Sequence, residues 1–179
     1  SRLMRRLPNF FLKLALALVI IILAVPTQIG VLQEFYSRSA YAKITTEELS
    51  ALSFLRETSK EESVILTPPY DPNLDLKEPI PNIWDWFDTA YVSALSERRT
   101  YIDDYEQVDI MGYDYKGRLE IKKEIFTDEK PETVRQKIMQ TGGNYLYFPK
   151  VLTPKADLEA VGLTKAFENH QVEIWNIPF

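Results

Sequence analysis

The chain has 179 residues, no cysteine and one histidine, and its formal net charge is −5 at pH 7. From residue 43 onward, 16 Lys and Arg stand against 25 Asp and Glu, a net charge of −9 that argues against a nucleic acid or an anionic lipid surface as partner. The missing cysteines exclude disulfide frameworks, thiolate zinc sites and cysteine nucleophiles, and a single histidine excludes multi-histidine metal sites.

A long apolar segment, "KLALALVIIILAV" from Lys13 to Val25, lies near the start of the chain. Its uninterrupted run has twelve residues, but apolar neighbours on both sides extend it to roughly 20 or more, enough to span a bilayer. A transmembrane helix in contact with the lipid bilayer is therefore predicted. Because Arg2, Arg5, Arg6 and Lys13 precede the segment, the positive-inside rule predicts a cytoplasmic N-terminus and an extracytoplasmic domain after the span, at the cell membrane.

An export signal is the alternative interpretation of the same segment. Ala40-Tyr41-Ala42 has the small-x-small pattern of a cleavage site, and cleavage there would release a secreted binding protein. The pattern lies far beyond the apolar run, whereas such sites normally follow within a few residues, so a retained span is favoured. The predicted organisation is a transmembrane helix with a juxtamembrane linker over 1–42 and an extracytoplasmic α/β domain over 43–179.

Past the apolar segment the sequence alternates helical and strand patterns. Thr45 and Glu48 have the spacing of a capping box, and "SVILT" is a β-branched run typical of a strand buried on both faces. Pro and Asp dominate residues 70–82, which predicts a long loop. The predicted elements, in chain order, are a helix over 46–58, a strand over 63–67, a helix over 85–95 capped by Asp85, a strand over 99–102, a surface helix over 118–126, a helix over 128–140 capped by Asp128, a strand over 145–148, a short helix from Thr153 to Gly162 and a hairpin around Asn169 and His170.

These elements predict an α/β fold. Helices between successive strands require parallel crossovers, whereas the terminal hairpin is antiparallel. We therefore expect one N-terminal transmembrane helix followed by a small three-layer-like α/β domain. Its mixed sheet should contain about three parallel strands plus the C-terminal antiparallel hairpin.

Two acidic groups are candidates for chemistry. Asp103 and Asp104 follow a predicted strand, where ligands of open α/β folds bind, and with Asp109 or Asp114 they could ligate a divalent ion. A solvated acidic loop is the favoured interpretation of that cluster. "DWFD", Asp85 to Asp88, places two carboxylates beside tryptophans on which a sugar could stack, although a helix cap and core aromatics explain the same residues and are favoured. The sequence contains no glycine-rich phosphate loop, and no catalytic residue is predicted in this chain.

The order of several short motifs behind the apolar segment resembles the extracytoplasmic C-terminal domain of bacterial polytopic membrane glycosyltransferases of the GT-C type. In that family a helix leads from the last span into a buried strand, an arginine-containing segment supplies a second strand, and a tyrosine-rich segment supplies a third. Ser96-Glu97-Arg98 departs from the family's small-Gly-Arg pattern. The motifs that carry the resemblance are "EELSALSFLRE", "SVILTPP", "SALSERRTY", "EIF", "ETVRQKIMQTGGNYLYF" and "AFENHQVEIWNI".

The resemblance implies a cell-envelope transferase that takes a sugar from a polyprenyl phosphate, with a catalytic carboxylate in an early outer loop. That loop would lie upstream of this segment, so the chain would be an accessory domain with no catalytic residue and no cofactor of its own. A divalent metal in the full-length enzyme is left open. The implied partners are the upstream transmembrane helices of the same protein, the polyprenyl-phosphate sugar, and a glycan or protein acceptor.

Contacts to donor or acceptor are predicted in the loop between Tyr70 and Trp86 and at an arginine pair that could clamp a phosphate or form surface ion pairs. The transferase interpretation is favoured if this loop and Arg98 line one cleft at the membrane-facing end of the domain, and disfavoured if those side chains are scattered or packed into the core. The rival interpretation is a single-span, membrane-anchored extracytoplasmic domain that binds a protein or glycan without catalysis. The predicted binding residues are Tyr70, Asp71, Trp84, Asp85, Trp86, Arg98 and Arg99.

Overall fold

The computed structural model describes residues 10–38, 40–74 and 78–179, and it divides into two compact units between Ala40 and Tyr41. The first unit contains helix α1, Phe10–Ser37, whose 28 residues extend about 42 Å at 1.5 Å per residue. Within it, Leu12–Ser37 is the one helix of the described residues that is long and apolar enough to cross a membrane, with a mean hydropathy of 2.5. An export signal can share these properties, so retention of the helix and the orientation of the chain stay predictions.

The second unit is an α/β domain with a five-stranded sheet. The strand order is β2-β1-β3-β5-β4, in which β1 pairs in parallel with β2 and β3, and β5 pairs antiparallel with β3 and β4. The predicted mixed sheet with a C-terminal hairpin is therefore confirmed. The elements are α2 Thr46–Thr58, β1 Val64–Leu66, α3 Ile83–Trp86, α4 Tyr91–Ser96, β2 Arg99–Thr100, α5 Tyr105–Ile110, α6 Lys116–Thr127, α7 Pro131–Thr141, β3 Tyr145–Pro149, α8 Leu158–Val161, β4 Thr164–Glu168 and β5 Val172–Asn176.

Helices cover both faces of the sheet, which gives the predicted three layers. Strand β3 shows why: Leu146 and Phe148 face one apolar cluster, and Tyr147 between them faces the other. Helices α6, α7 and α8 contribute to the first cluster, and helices α2 and α4 contribute to the second. A strand buried on both faces needs apolar residues at every position, and that is the pattern seen in "YLYF".

The predicted helix over 85–95 is wrong, because the structure has two short helices there. At Phe87 the backbone is extended (φ −165°, ψ 155°) and separates α3 from α4. The break allows Asp88, which is 8% exposed, to turn inward and accept a hydrogen bond from the Tyr105 backbone N–H at 2.8 Å. This contact joins segments 17 residues apart, so a local helical pattern could not anticipate it.

Thr45 and Glu48 both act at the start of helix α2, as their spacing predicts. The Thr45 hydroxyl oxygen accepts a hydrogen bond from the Glu48 N–H at 3.2 Å. The Glu48 carboxylate is buried, where the Thr45 backbone N–H helps to lower its pKa against the effect of burial, and it accepts a hydrogen bond from the Tyr147 hydroxyl at 3.0 Å. Glu48 thus connects the N-terminus of α2 with a tyrosine of the core.

Two further helix boundaries, and the exposure of one helix, differ from the prediction. Helix α7 begins at Pro131, and Asp128 instead ends α6, where its Oδ1 accepts the Lys130 N–H at 2.8 Å. The short helix expected from Thr153 is confined to Leu158–Val161 and is capped by Asp157. Helix α6, predicted as a surface helix, instead packs against the core. Lys122, Ile125 and Phe126 are buried, because Ile125 and Phe126 belong to the apolar cluster that contains Leu66 of β1 and residues of β3.

Candidate functional site

A cleft opens at the carboxyl ends of the parallel strands, the edge at which open α/β sheets usually bind ligands. Residues after β1, after β2 and around α3 and α4 form its walls, and its empty space, open mouth included, is about 340 Å³. We call it the first cleft. Its lining residues are Thr67, Pro68, Pro69, Tyr70, Trp84, Phe87, Asp88, Thr89, Tyr91, Val92, Asp103 and Leu152.

A buried ion pair forms the base of the first cleft. Lys122 Nζ lies 2.8 Å from Asp103 Oδ1, and both side chains are only 5% exposed. The same Oδ1 accepts a hydrogen bond from the Thr67 hydroxyl at 2.5 Å, and Lys122 also donates to the Ile102 carbonyl at 2.7 Å. Oδ1 of Asp103 is therefore held by both Lys122 and Thr67. These contacts fix the carboxylate and so set the orientation of its other oxygen, Oδ2.

Two further polar atoms of the first cleft lack partners among the described residues. Asp103 Oδ2 and Thr89 Oγ1 are both buried and have no hydrogen-bond partner among the described residues. Burial raises the pKa of Asp103, against the charge of Lys122 and the Thr67 hydrogen bond, while the charge of Asp88 raises it further. A buried polar atom without a partner is costly, so these two atoms mark a place where a ligand hydroxyl would be stabilised.

Aromatic side chains border the same cleft. Tyr70 and Phe87 have ring centroids 6.2 Å apart, and the indole of Trp84 lines the cleft as well. Rings of this kind offer a flat apolar surface, on which the C–H face of a sugar ring can stack. The first cleft therefore combines a stacking surface with hydrogen-bond acceptors fixed behind it.

The structure brings only two of the predicted loop residues, Tyr70 and Trp84, into the first cleft. Asp71 is exposed and accepts a hydrogen bond from the Asn73 N–H at 2.9 Å, a local turn contact. Asp85 lies in α3 outside the first cleft. Trp86 is 45% exposed and stacks on Tyr41 with ring centroids 6.0 Å apart, so it supports the loop instead of lining the cleft.

The two arginines lie at the opposite end of the parallel strands, because they precede or begin β2 whereas Asp103 follows it. The Arg98 guanidinium donates to the Arg56 and Ser59 carbonyls at 2.5 and 2.9 Å and to the Ser59 hydroxyl at 2.9 Å, which fixes the C-terminus of α2. Arg99 is exposed and donates to the Glu62 carbonyl at 3.0 Å. The geometry does not place Arg98 in one cleft with the Tyr70 loop.

Sequence reasoning missed Thr67, Thr89 and Lys122. The position of Thr67 at the end of a buried strand, just before Pro68-Pro69, was a usable signal. Lys122 sits in a charged helix, and no local pattern distinguishes it from its exposed neighbours. The possible metal cluster around Asp103 is not assembled, since no group of three or more potential ligands that could hold a metal ion occurs in the part of the chain that the structure describes.

A chain of buried hydroxyls leads from the first cleft to Glu48. The Tyr91 hydroxyl lies 3.3 Å from the Tyr147 hydroxyl, and Tyr147 donates to Glu48 Oε1 at 3.0 Å. Glu48 is 1% exposed, and burial raises its pKa above the ordinary 4.5 despite these hydrogen bonds. The neutral form of Glu48 is therefore favoured by folding.

Replacement of Glu48 by Gln should change how stability depends on pH. Above about pH 4.5 the unfolded chain loses the Glu48 proton before the folded chain does, so wild-type stability should fall relative to Glu48→Gln as pH rises through the folded pKa. The difference should amount to about 1.4 kcal/mol for each pH unit between the two pKa values. Denaturant unfolding between pH 4 and 8 measures it, with the exposed Glu57→Gln as control. Parallel pH profiles for wild type and Glu48→Gln would contradict the expectation.

The case for a function rests on the residues of the first cleft, because no protein-family model matches the chain and no curated protein matches its sequence. The resemblance to GT-C transferases therefore stays a prediction. By its own chemistry, the first cleft can stack an apolar ring face and accept hydrogen bonds from hydroxyl groups behind it.

Proposed function

We propose that residues 41–179 form a membrane-attached, outward-facing domain that binds a glycan in the first cleft. Within that role, we propose that it is the acceptor-side accessory domain of a membrane glycosyltransferase that uses a polyprenyl-phosphate sugar. The observation that carries the proposal is the convergence of Tyr70 and Trp84 with the unpartnered acceptor Asp103 Oδ2 on one cleft. No residue of this domain is assigned a catalytic role.

The charge of the first cleft favours a neutral ligand over an anionic one. Asp88 and Asp103 contribute two carboxylates, and Lys122 contributes one ammonium, so an ionised cleft carries an excess negative charge. A phosphate would be repelled by that excess, whereas sugar hydroxyls would donate to Asp103 Oδ2. This is why we assign the cleft to the glycan acceptor and not to the polyprenyl-phosphate donor.

The attachment to a membrane rests on α1. Its length exceeds the hydrocarbon core of about 30 Å, and the basic residues before it favour a cytoplasmic N-terminus. Along the chain, residues 38–40 alone separate the end of α1 from Tyr41, which begins the domain. In the transferase proposal an early outer loop, upstream of this segment in the same protein, supplies the catalytic carboxylate.

Trp84→Ala should weaken glycan binding by about tenfold or more, since an aromatic contact that stacks and desolvates a ring contributes on the order of 1–2 kcal/mol. Calorimetric titration of the full chain in nanodiscs, with disaccharides of glucose, galactose, mannose and N-acetylglucosamine, measures the effect. Trp86→Ala is the matched control, because Trp86 lies in the same short helix but outside the first cleft. Equal losses in both variants, or no binding of any disaccharide by the wild type, would contradict the proposal.

A second candidate function is a single-span anchored domain that binds a glycan and takes no part in catalysis. The observation that favours it is that residues 67–152 of this one chain supply the aromatic rings and the hydrogen-bond acceptors that line the first cleft. Transfer from a radiolabelled polyprenyl-phosphate sugar separates the two candidates. If the domain is part of a transferase, membranes that contain the chain with its natural upstream region should show transfer and lose it when residues 45–179 are removed. Membranes that show no transfer with the intact chain favour the anchored binding domain.

A further inference from the structure

A second cleft lies at the same edge of the sheet, where β3 ends and β5 begins. Glu48, Asn82, Lys150 and His170 line it, and Trp84 lines both this cleft and the first one. Its empty space, open mouth included, is about 560 Å³. We call it the second cleft, and none of the roles assigned above uses it.

Two buried oxygen atoms in the wall of the second cleft have no partner. Glu48 is 1% exposed and Asn82 is 9% exposed, and Glu48 Oε2 and Asn82 Oδ1 accept no hydrogen bond from any described residue. The other carboxylate oxygen of Glu48 is fixed by the Tyr147 hydroxyl at 3.0 Å, so the orientation of the open oxygen is set by the core. The second cleft thus presents two buried acceptor atoms that no hydrogen bond of the described residues satisfies.

The charge of Glu48 is also unbalanced. No salt bridge among the described residues includes it, and the cation that lines the same cleft is already engaged: Lys150 pairs with Glu168 at 2.6 Å and with Glu173 at 4.0 Å. Glu78, on the rim, is paired with Lys43. Burial raises the pKa of Glu48, which is the behaviour of a carboxylate that has no cation beside it.

We propose that the second cleft binds a primary ammonium group, which donates hydrogen bonds to Glu48 Oε2 and Asn82 Oδ1 beside the ring of Trp84. An ammonium group supplies a cationic partner for the Glu48 carboxylate and up to three N–H donors for the two unpartnered acceptor atoms. The indole face adds a favourable cation–π contact. A quaternary ammonium fits less well, because it has no N–H to donate.

This assignment goes beyond glycan binding and does not rest on it, since its two acceptors lie outside the first cleft. A primary ammonium group can come from an amino sugar, from a lysine side chain or from an ethanolamine headgroup. These sources share the same charged group and differ in what surrounds it. The second cleft is assigned to the shared group, and the source is determined by comparing soluble probes.

The test uses His170, the single histidine of the chain, as a reporter, because it lines the second cleft and not the first. The full chain with labelled histidine is placed in phosphatidylcholine nanodiscs and titrated at pH 8 with n-propylammonium, while the His170 ring signals are followed by NMR. n-Propanol has nearly the same shape without the charge. Saturable shifts with n-propylammonium and none with n-propanol are expected; equal responses to the two probes would overturn the assignment.

Two variants make the test specific to the assigned acceptors. Glu48→Gln keeps the shape of the side chain and removes the charge, so n-propylammonium binding should weaken about tenfold or more, as expected for a hydrogen bond to a charged group. Asn82→Ala removes the second acceptor and should also weaken binding. Glu57→Gln, an exposed change on the same helix α2, should leave binding unaltered. Unchanged binding in Glu48→Gln and Asn82→Ala would overturn the assignment even if propylammonium binds the wild type.

Comparison of three soluble amines then identifies the source of the ammonium group. Glucosamine against N-acetylglucosamine, Nα-acetyl-lysine amide against its Nα,Nε-diacetyl form, and ethanolamine against choline are matched pairs in which only the first member has a free primary amine. At least one of the three primary amines should shift the His170 signals more than its partner does, and that shift should require Glu48. If no pair shows this difference, the assignment fails, whereas failure of neutral disaccharides to bind bears only on the first cleft.

Discussion

Lys122→Met is expected to lower the free energy of unfolding by about 3–5 kcal/mol, because it leaves the carboxylate of Asp103 buried without its cation. Lys122 Nζ and Asp103 Oδ1 are 2.8 Å apart, and both side chains are 5% exposed, so water cannot replace the lost ammonium. The hydrogen bond from Lys122 to the Ile102 carbonyl is lost as well. Methionine has a similar length and no charge, so little of the effect should come from an altered side-chain volume.

Lys123→Met is the matched control for this loss. Lys123 is the next residue of α6 but is exposed, so its replacement should change stability by no more than about 0.5 kcal/mol. Guanidinium unfolding of the full chain, followed by tryptophan fluorescence, measures both variants. The Lys122→Met loss should be larger at pH 8 than at pH 5, because burial favours the protonated form of Asp103 and protonation removes the unpaired charge. Equal stability of the two variants would show that the ion pair does not hold the base of the first cleft.

Arg98→Ala is expected to lower the free energy of unfolding by about 2–4 kcal/mol and to leave glycan binding at the first cleft unchanged. The guanidinium makes three hydrogen bonds to Arg56 and Ser59 at the C-terminus of α2, and hydrogen bonds to charged groups contribute about 1.5–3 kcal/mol each without being additive. Loss of these contacts leaves helix carbonyls and the buried Ser59 without their donor. Arg98→Lys should recover only part of the stability, because an ammonium cannot reproduce the planar fork.

Arg99→Ala separates this structural role from a phosphate-binding role. Arg99 is exposed and makes one hydrogen bond, to the Glu62 carbonyl, so its loss should cost at most about 1 kcal/mol. Chemical unfolding gives the stability of both variants, and the disaccharide titration described above gives their ligand affinity. A large loss of ligand affinity in Arg98→Ala with unchanged stability would restore the interpretation of the arginine pair as a ligand clamp.

Part of the first cleft could be recognised before the structure was known, because aromatic and acidic residues in a long loop after a buried strand are a local signal. Tyr70 and Trp84 belong to that part. The sequence could not show that Arg98 lies outside the first cleft. Its position depends on which end of strand β2 faces the loop, and its hydrogen bonds go to carbonyls at the end of helix α2, about 40 residues earlier. The role of Lys122 was hidden for the same reason: its partner is 19 residues away in the chain.

The amino-acid sequence alone predicts the apolar helix, the mixed sheet and most helix and strand positions. It does so because hydrophobic periodicity, capping residues and glycines at helix ends act over a few neighbouring residues. Helix α7, for example, ends at Thr141 and is followed by Gly142 in the left-handed conformation, which glycine adopts without strain. The break at Phe87, the inward turn of Glu48 and the two clefts required the tertiary structure. Each of them depends on a hydrogen bond or an ion pair between distant segments, or on an atom that becomes buried without a partner when those segments pack. Such contacts contribute to stability only in the packed chain, so local sequence patterns do not reveal them.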